Sequence, residues 1–388
     1  ERREYYAQQF VSVTHKKARI NLMNLFIERA FSLLRPGGML VFLVNKTFLE
    51  LPSFKRIRQF VVERFWVEAI LPELSIFDAI VDACVIVLKK PTKSLNSLNL
   101  KKQLIKWVDP LSLVRSELVF FLKTPQAQVF DNINYAFLPL SEIDLQILNK
   151  ISANCAPLGD LYKVNRGMNI GGVSEYFLAD EAKTPNYYPF LQSLAQISPY
   201  KIKGFDKFVL YDKKLEQRLR KEKSATIALG TEKRFKQANI LVAEAGSTII
   251  AVLNTRGLYA SYSFHVITPK SNKSFPLLFL LALLNSSVLS YFAIKKSLIR
   301  KGRKATPHLG TLGLRQLPIP KNIESAPLFE QIYQLSSEIH ELAQKERKTD
   351  EKILNQKIEL LNGLCYKIYG VEECKIEIDR FLANERSL

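Results

Sequence analysis

The 388-residue sequence has little of what would tie a chain to a membrane, a metal or a disulfide frame. Its longest apolar run, Pro276 to Leu284, is far short of the ~20 residues that a bilayer-spanning helix needs. Four cysteines (Cys84, Cys155, Cys365 and Cys374) contain no CxxC pair. That pattern implies neither a zinc site nor a disulfide framework and fits buried thiols in a reducing cytoplasm. The histidines His15, His265, His308 and His340 are scattered and form no metal set. The opening Glu1-Arg2-Arg3-Glu4 is no secretory signal and lacks an initiator Met, so a longer parent chain is expected. There is no repeat of fixed period and no low-complexity segment. Acidic residues are the minority, 37 against 56 Lys and Arg, for a formal charge of +19. A balance that basic calls for a polyanionic partner, nucleic acid first and an anionic membrane surface second.

What is present is an ordinary globular composition, 47% hydrophobic and 24% charged. The length allows two or three domains. Ile20, Met23, Ile27, Ala30 and Leu34 recur at helical spacing and predict an amphipathic helix over 19–34. Arg35-Pro36-Gly37-Gly38 ends it. Met39 to Val44 is all apolar, as a strand buried on both faces should be. A helix over 54–65 and strands over 67–71 and 83–88 follow, giving an α/β sheet. The last two strands lie too close for a helical crossover and should pair antiparallel. Residues 91–157 carry mixed signals and read as a connector. From 158 to 320 short apolar runs broken by turn residues predict an irregular α+β domain. Its strands are expected at 208–211, 240–243, 248–253 and 264–267, with a buried helix over 277–284. Two apolar stripes, Leu328 to Leu342 and Leu354 to Ile368, separated by the charged run Lys345 to Lys352, predict a helical hairpin whose plain role is packing.

Residues 21–90 resemble the C-terminal half of the catalytic domain of N6-adenine DNA methyltransferases of the TaqI-like, type I and type IIG restriction-modification group. The residues that carry the resemblance are NLFIERAFSLLRPGGMLVFLVNKTFL and VEAILPELSIFDAIVDACVIVLKK. Residues 158–320 are similar to the TaqI-like specificity domain through Val164 to Gly171, Leu280 to Phe292 and Leu314 to Pro320. The terminal Lys367-Ile368-Tyr369-Gly370-Val371 resembles the end of the same proteins. The chain departs from many relatives at Ala243-Glu244-Ala245-Gly246-Ser247, where those carry a basic pair.

The resemblance implies the second half of a class I Rossmann-like methyltransferase sheet over residues 1–92. A connector (93–157), an α+β DNA-specificity domain (158–320) and a helical hairpin tail (321–388) would follow. The implied activity is methyl transfer from S-adenosylmethionine to adenine N6 in double-stranded DNA, in the cytoplasm of a bacterium. Such an enzyme must take the adenine out of the duplex and give it an aromatic surface. The hairpin residue matching the family's stacking Phe is Phe77; the other reading of Phe77 is a core aromatic of that hairpin.

Two motifs of the family are missing. There is no GxG for the cofactor turn, and the only Asp-Pro, Asp109-Pro110, is followed by Leu111 rather than Pro and an aromatic. No catalytic residue is therefore assigned. The cofactor motif and the chemistry are expected from a missing N-terminal half or a partner subunit. The alternative is a non-catalytic specificity subunit or a degenerate methyltransferase. The carboxylate–lysine triplets at Glu346 to Lys348 and Glu373 to Lys375 are what a charged helix yields by chance and do not make a nuclease site.

The positive charge is uneven. Residues 201–236 hold 12 basic and 5 acidic residues, and residues 295–304 hold six basic and none acidic. A DNA-clamping face predicts that concentration, because phosphate contacts hold the duplex while few side chains read bases. The DNA-contact candidates are Arg166, Lys233, Arg234, Lys236, Lys295, Lys296, Arg300, Lys301, Arg303 and Lys304.

Overall fold

In the computed structural model the described residues are 2–13, 20–74, 82–92, 97–113, 117–132, 134–223, 226–270, 275–302, 305–323, 326–345 and 350–387. The architecture is mixed α/β. The chain divides into two compact units, Glu1–Leu145 with Gly302–Ala305, and Gln146–Lys301 with Thr306–Leu388.

The first unit is built on a five-stranded sheet of order β1-β3-β2-β4-β5. Its strands are β1 (Met39–Asn45), β2 (Trp66–Leu74), β3 (Ala83–Lys89), β4 (Leu104–Val108) and β5 (Phe120–Pro125). β3 runs antiparallel to both β1 and β2, so those two are parallel to each other with β3 between them. β4 pairs parallel with β2, and β5 antiparallel with β4. Residues within the segment read as connector thus extend the sheet. The Leu22–Leu33 helix is capped by Asn21, whose side chain accepts from the Met23 N–H. The helix Lys55–Arg64 links β1 to β2.

Ile27, Ile57, Val61, Val62, Phe65, Val67, Ile70, Ile86 and Trp107 are buried in one cluster, each worth about 1.5–3 kcal/mol if fully removed from water. Arg58 is wholly buried among them. Its guanidinium donates to the carbonyls of Phe48 (2.7 Å), Leu51 (2.9 Å) and Asn134 (2.8 Å). Burial lowers its pKa to about 10. Buried Gln126 bridges the helix end and β2, donating to Val62 and Phe65 carbonyls and accepting from the Val67 N–H, each at 3.0 Å.

One face of β1 is uncovered. Met39, Val41 and Leu43 are 55%, 64% and 41% exposed, although an all-apolar strand is the type buried on both faces. Their cross-strand partners Lys89, Val87 and Val85 share that face. Among the described residues the outer edge of β1 has no strand beside it. Leu22, Phe26 and Leu33 form an exposed apolar stripe on the preceding helix.

In the second unit four antiparallel strands stand in the order Ala251–Asn254, Asn239–Ala243, Phe264–Pro269, Tyr162–Arg166. A further sheet joins Tyr259–Ala260, Tyr187–Leu191, Lys207–Leu210 and Leu178–Ala179. Between the sheets lies a core that includes Met168, Phe177, Phe190, Phe235, Leu241 and Phe264. The wholly apolar helix Leu277–Leu284 is buried against the strand Ala251–Asn254 and the helices Pro327–Ala343 and Asp350–Ile368. Those last two pack on each other, with an ion pair from Lys357 to Glu338 at 2.6 Å. Among the described residues no single helix is long and apolar enough to cross a membrane. Leu277–Leu284 and Ser287–Lys295 are bent by 59° where they meet, and most of both is buried. The four thiols are free, and burial raises those of Cys84, Cys155 and Cys365 to about 12.

Candidate nucleic-acid interface

Arg166 ends the strand Tyr162–Arg166, and Gly167 turns the chain. The Gly167 N–H donates to the Phe264 carbonyl (2.8 Å), and the Met168 N–H to that of Ala260 (2.7 Å). A Cβ at Gly167 would lie 1.9 Å from the Ser261 carbonyl oxygen and 2.5 Å from that of Ala260. The absence of a side chain is what lets this turn reach the 260–264 segment. As a result the Arg166 guanidinium sits 5.8 Å from the Tyr262 ring centroid.

Arg166 also ion-pairs with Glu244, whose side chain is 10% exposed while that of Arg166 is 46% exposed. His308 also approaches that carboxylate, with Nδ1 at 3.7 Å. Glu244 follows the strand Asn239–Ala243, and its backbone is tied on both sides. Its N–H donates to the Ser263 carbonyl and its carbonyl accepts from the Leu309 N–H, both at 2.8 Å. The Gly246 N–H reaches the Pro307 carbonyl at 3.0 Å. This stitches the strand Ala305–Leu309, partner of Ile299–Gly302, to the same end of the sheet. His265 is fully buried behind the cluster, with Nε2 2.7 Å from the Leu309 carbonyl oxygen. Burial holds its pKa below the usual histidine value.

The single-turn helix Lys233–Lys236 is anchored by buried Phe235, which stacks on Tyr259 at 4.6 Å. Tyr259 in turn stacks on Tyr188 at 4.4 Å. Arg234 is engaged internally. It lies 4.7 Å from the Phe235 ring centroid and donates to the Leu229 carbonyl at 3.1 Å, and burial lowers its pKa. Lys236 pairs with Glu232 at 2.8 Å and stands over Tyr188. Lys233 is exposed.

Lys295 ends the helix Ser287–Lys295 with its ammonium 4.2 Å from the Phe381 ring centroid. Lys296 caps that helix and is partly buried, which lowers its pKa. Arg300 lies on the strand Ile299–Gly302, partly exposed. The side chain of Lys301 and residues Arg303, Lys304 and Phe77 lie outside the described residues.

The structure therefore joins Arg166 to three residues that sequence reasoning did not select, Glu244, Tyr262 and His308. The only signal was an acidic residue, Glu244, in a segment where the resemblance leads to the expectation of a basic pair. Asp109 is a turn residue: its carboxylate accepts from the Leu111 N–H at 2.9 Å and its carbonyl from the Ser112 hydroxyl at 2.6 Å. A methyl-donor cofactor would need a glycine-rich turn at the C-terminal end of a strand. The only glycines before residue 159 are Gly37 and Gly38, which precede β1 at its N-terminal end. The C-terminal end of β1 is occupied instead by Asn45, which caps Thr47 at 2.9 Å, and by Lys46, paired with Glu73 at 2.5 Å. The described residues do not fit that cofactor.

Two family descriptions match segments of the chain. Residues 192–319 match the TaqI-like C-terminal specificity domain, and residues 1–75 match the Eco57I restriction-modification methylase family. Two segments of the chain are thus of restriction-modification type, and the protein is related to DNA methyltransferases of those systems. No curated protein matches it in sequence. Among solved structures it is similar to the type IIL restriction-modification enzyme MmeI, solved with DNA. The identity is 12% and the TM-score 0.55, over 95% of this chain and 53% of that one. It is also similar to the type IIG restriction endonuclease BpuSI, at 15% identity and TM-score 0.36 over 91% of this chain and 50% of that one. The chain spans about half the length of those two proteins.

Proposed function

We propose that this chain is the DNA-recognising part of a site-specific DNA methyltransferase of a restriction-modification system. Its reaction is methyl transfer from S-adenosylmethionine to adenine N6. The observation that carries the reading is the bare face and edge of β1. A strand that is apolar from Met39 to Val44 is stable in an α/β sheet when strands and helices cover it. Here Met39, Val41 and Leu43 face solvent. A further segment, in the same polypeptide or a partner subunit, pairs with β1. It brings the glycine-rich cofactor turn and the Asn-Pro-Pro-aromatic loop that this chain lacks. Residues 158–320 hold double-stranded DNA through their basic side chains, and Phe77 gives the extruded adenine its stacking surface.

The test combines the chain with a polypeptide bearing those two motifs and follows transfer of labelled methyl to adenine in DNA. Methylation that needs both, and that Phe77→Ala abolishes while DNA binding persists, is the expected result. DNA binding with no methylation in any such combination would make the chain a non-catalytic specificity subunit.

A further inference from the structure

Arg166, one of the exposed arginines of the second unit, is held in a way that a phosphate-binding residue does not require. A phosphate is neutralised by a mobile lysine or gripped by an arginine fork, and neither contact needs a buried carboxylate fixed beside the cation. Arg166 is fixed from two sides. Its Nη2 is paired with the carboxylate of Glu244, a residue 93% buried and itself locked by backbone bonds to Ser263 and Leu309. Its guanidinium plane rests beside the Tyr262 ring, 5.8 Å from the centroid. Gly167 removes the side chain that would push the turn away from the 260–261 backbone. Nearly half of the Arg166 side chain still faces solvent. A guanidinium has five N–H donors in a rigid fork, so the pair with Glu244 leaves donors free and aimed. A planar, pre-oriented fork matches two acceptors side by side, and the guanine edge in the major groove offers O6 and N7 in that arrangement. The carboxylate beside it also offsets the guanidinium charge and repels a phosphate brought to the same place, so the site favours neutral base acceptors over any nearby anion.

We propose that Arg166, oriented by Glu244 and Tyr262, is a specificity-determining residue that reads one guanine of the target duplex through its major-groove edge. Glu244 acts as a positioning residue. The inference rests on the DNA-binding reading above and deepens it.

The experiment selects bound duplexes from a library with a randomised site, using the wild-type chain, Arg166→Lys and Glu244→Gln, and measures affinity for random duplex alongside. The wild type enriches guanine at one position. Arg166→Lys keeps the charge but not the fork, and it lowers that preference on the order of tenfold while affinity for random duplex stays near wild type. Glu244→Gln keeps an acceptor for Arg166 and relaxes the same position in part, with the others intact. Equal preference in all three proteins overturns the inference. So does a uniform loss of affinity across sequences in Arg166→Lys, which would make Arg166 a phosphate contact. Salt-dependent binding by the wild type with no base preference refutes the base-reading role and leaves DNA binding standing. Absence of any DNA binding by the wild type removes both.

Discussion

The turn at Gly167 makes a sharp prediction because the same substitution elsewhere should have the opposite sign. A methyl group at Gly167 would sit 1.9 Å and 2.5 Å from two backbone oxygens, and backbone cannot rotate aside as a side-chain end can. The Gly167–Phe264 and Met168–Ala260 hydrogen bonds must stretch or break. Met168, Ala260 and Phe264 are all buried, so the freed groups find no water. At roughly 1–3 kcal/mol for each buried polar group left unpaired, plus displaced packing, Gly167→Ala should cost about 3–5 kcal/mol. Gly363 lies in the helix Asp350–Ile368, and a Cβ there would meet nothing within 4 Å. Replacing it removes backbone entropy from the unfolded chain, so Gly363→Ala should stabilise by roughly 0.5–1 kcal/mol. Urea unfolding followed by circular dichroism compares the two. Similar midpoints for both variants, or a stabilised Gly167→Ala, would refute the close approach at residues 260–261.

Three other outcomes follow from the packing. Arg58→Met removes the donors from the carbonyls of Phe48, Leu51, Asn134, Tyr135 and Glu50 inside the first unit and should cost about 3–5 kcal/mol. Both tryptophans, Trp66 and Trp107, belong to that unit, so the shift should be visible in their fluorescence during urea unfolding. His265 and His340 are held below the usual histidine pKa of 6.5 by burial. In the unfolded chain they take up protons first, so their contribution is whole above about pH 6.5 and is lost as pH falls further. The urea midpoint at about pH 7.5 should exceed that at about pH 5.5, and replacing both histidines with Asn should flatten that difference. Replacing exposed Met39, Val41 and Leu43 with Thr should leave the isolated chain's stability nearly unchanged, within about 1 kcal/mol. The same change should weaken any methylation obtained with a partner polypeptide.

Much of the fold was legible because apolar runs and turn residues alternate cleanly. Met39 to Val44 reads as a strand buried on both faces; it is a strand, but Met39, Val41 and Leu43 are exposed, so the covering on one face is not there. The short link between 71 and 83 calls for antiparallel pairing, and β2 and β3 pair that way. The strands at 207–210, 239–243 and 264–269 fall within a residue or two of their expected places. β4 and β5 were hidden because Lys106 and Lys123 interrupt their apolar residues and stand opposite each other, which dilutes any alternation. The insertion of β3 between β1 and β2 is a property of pairing that no local pattern carries. The site shows the same limit. Arg166 and Gly167 stand out as a motif, but Glu244 lies 78 residues away, and a lone acidic residue in a basic domain reads as a departure. Only its burial beneath Arg166 gives it a role. Among the basic candidates, burial separates Arg234, tied to Leu229 and Phe235, from exposed Lys233, a distinction that charge counting cannot make.

If the second unit holds duplex DNA through its basic side chains, as proposed, the affinity of the chain for duplex DNA at about 50 mM and about 200 mM salt, with Lys233, Lys295 and Arg300 changed to Gln in parallel, shows it. With six or more phosphates neutralised, affinity should fall by about 10³ between the two salts. The triple variant should bind more weakly and lose up to about three units of the logarithmic salt slope. Binding that ignores salt, or an unchanged slope in the variant, would contradict the account.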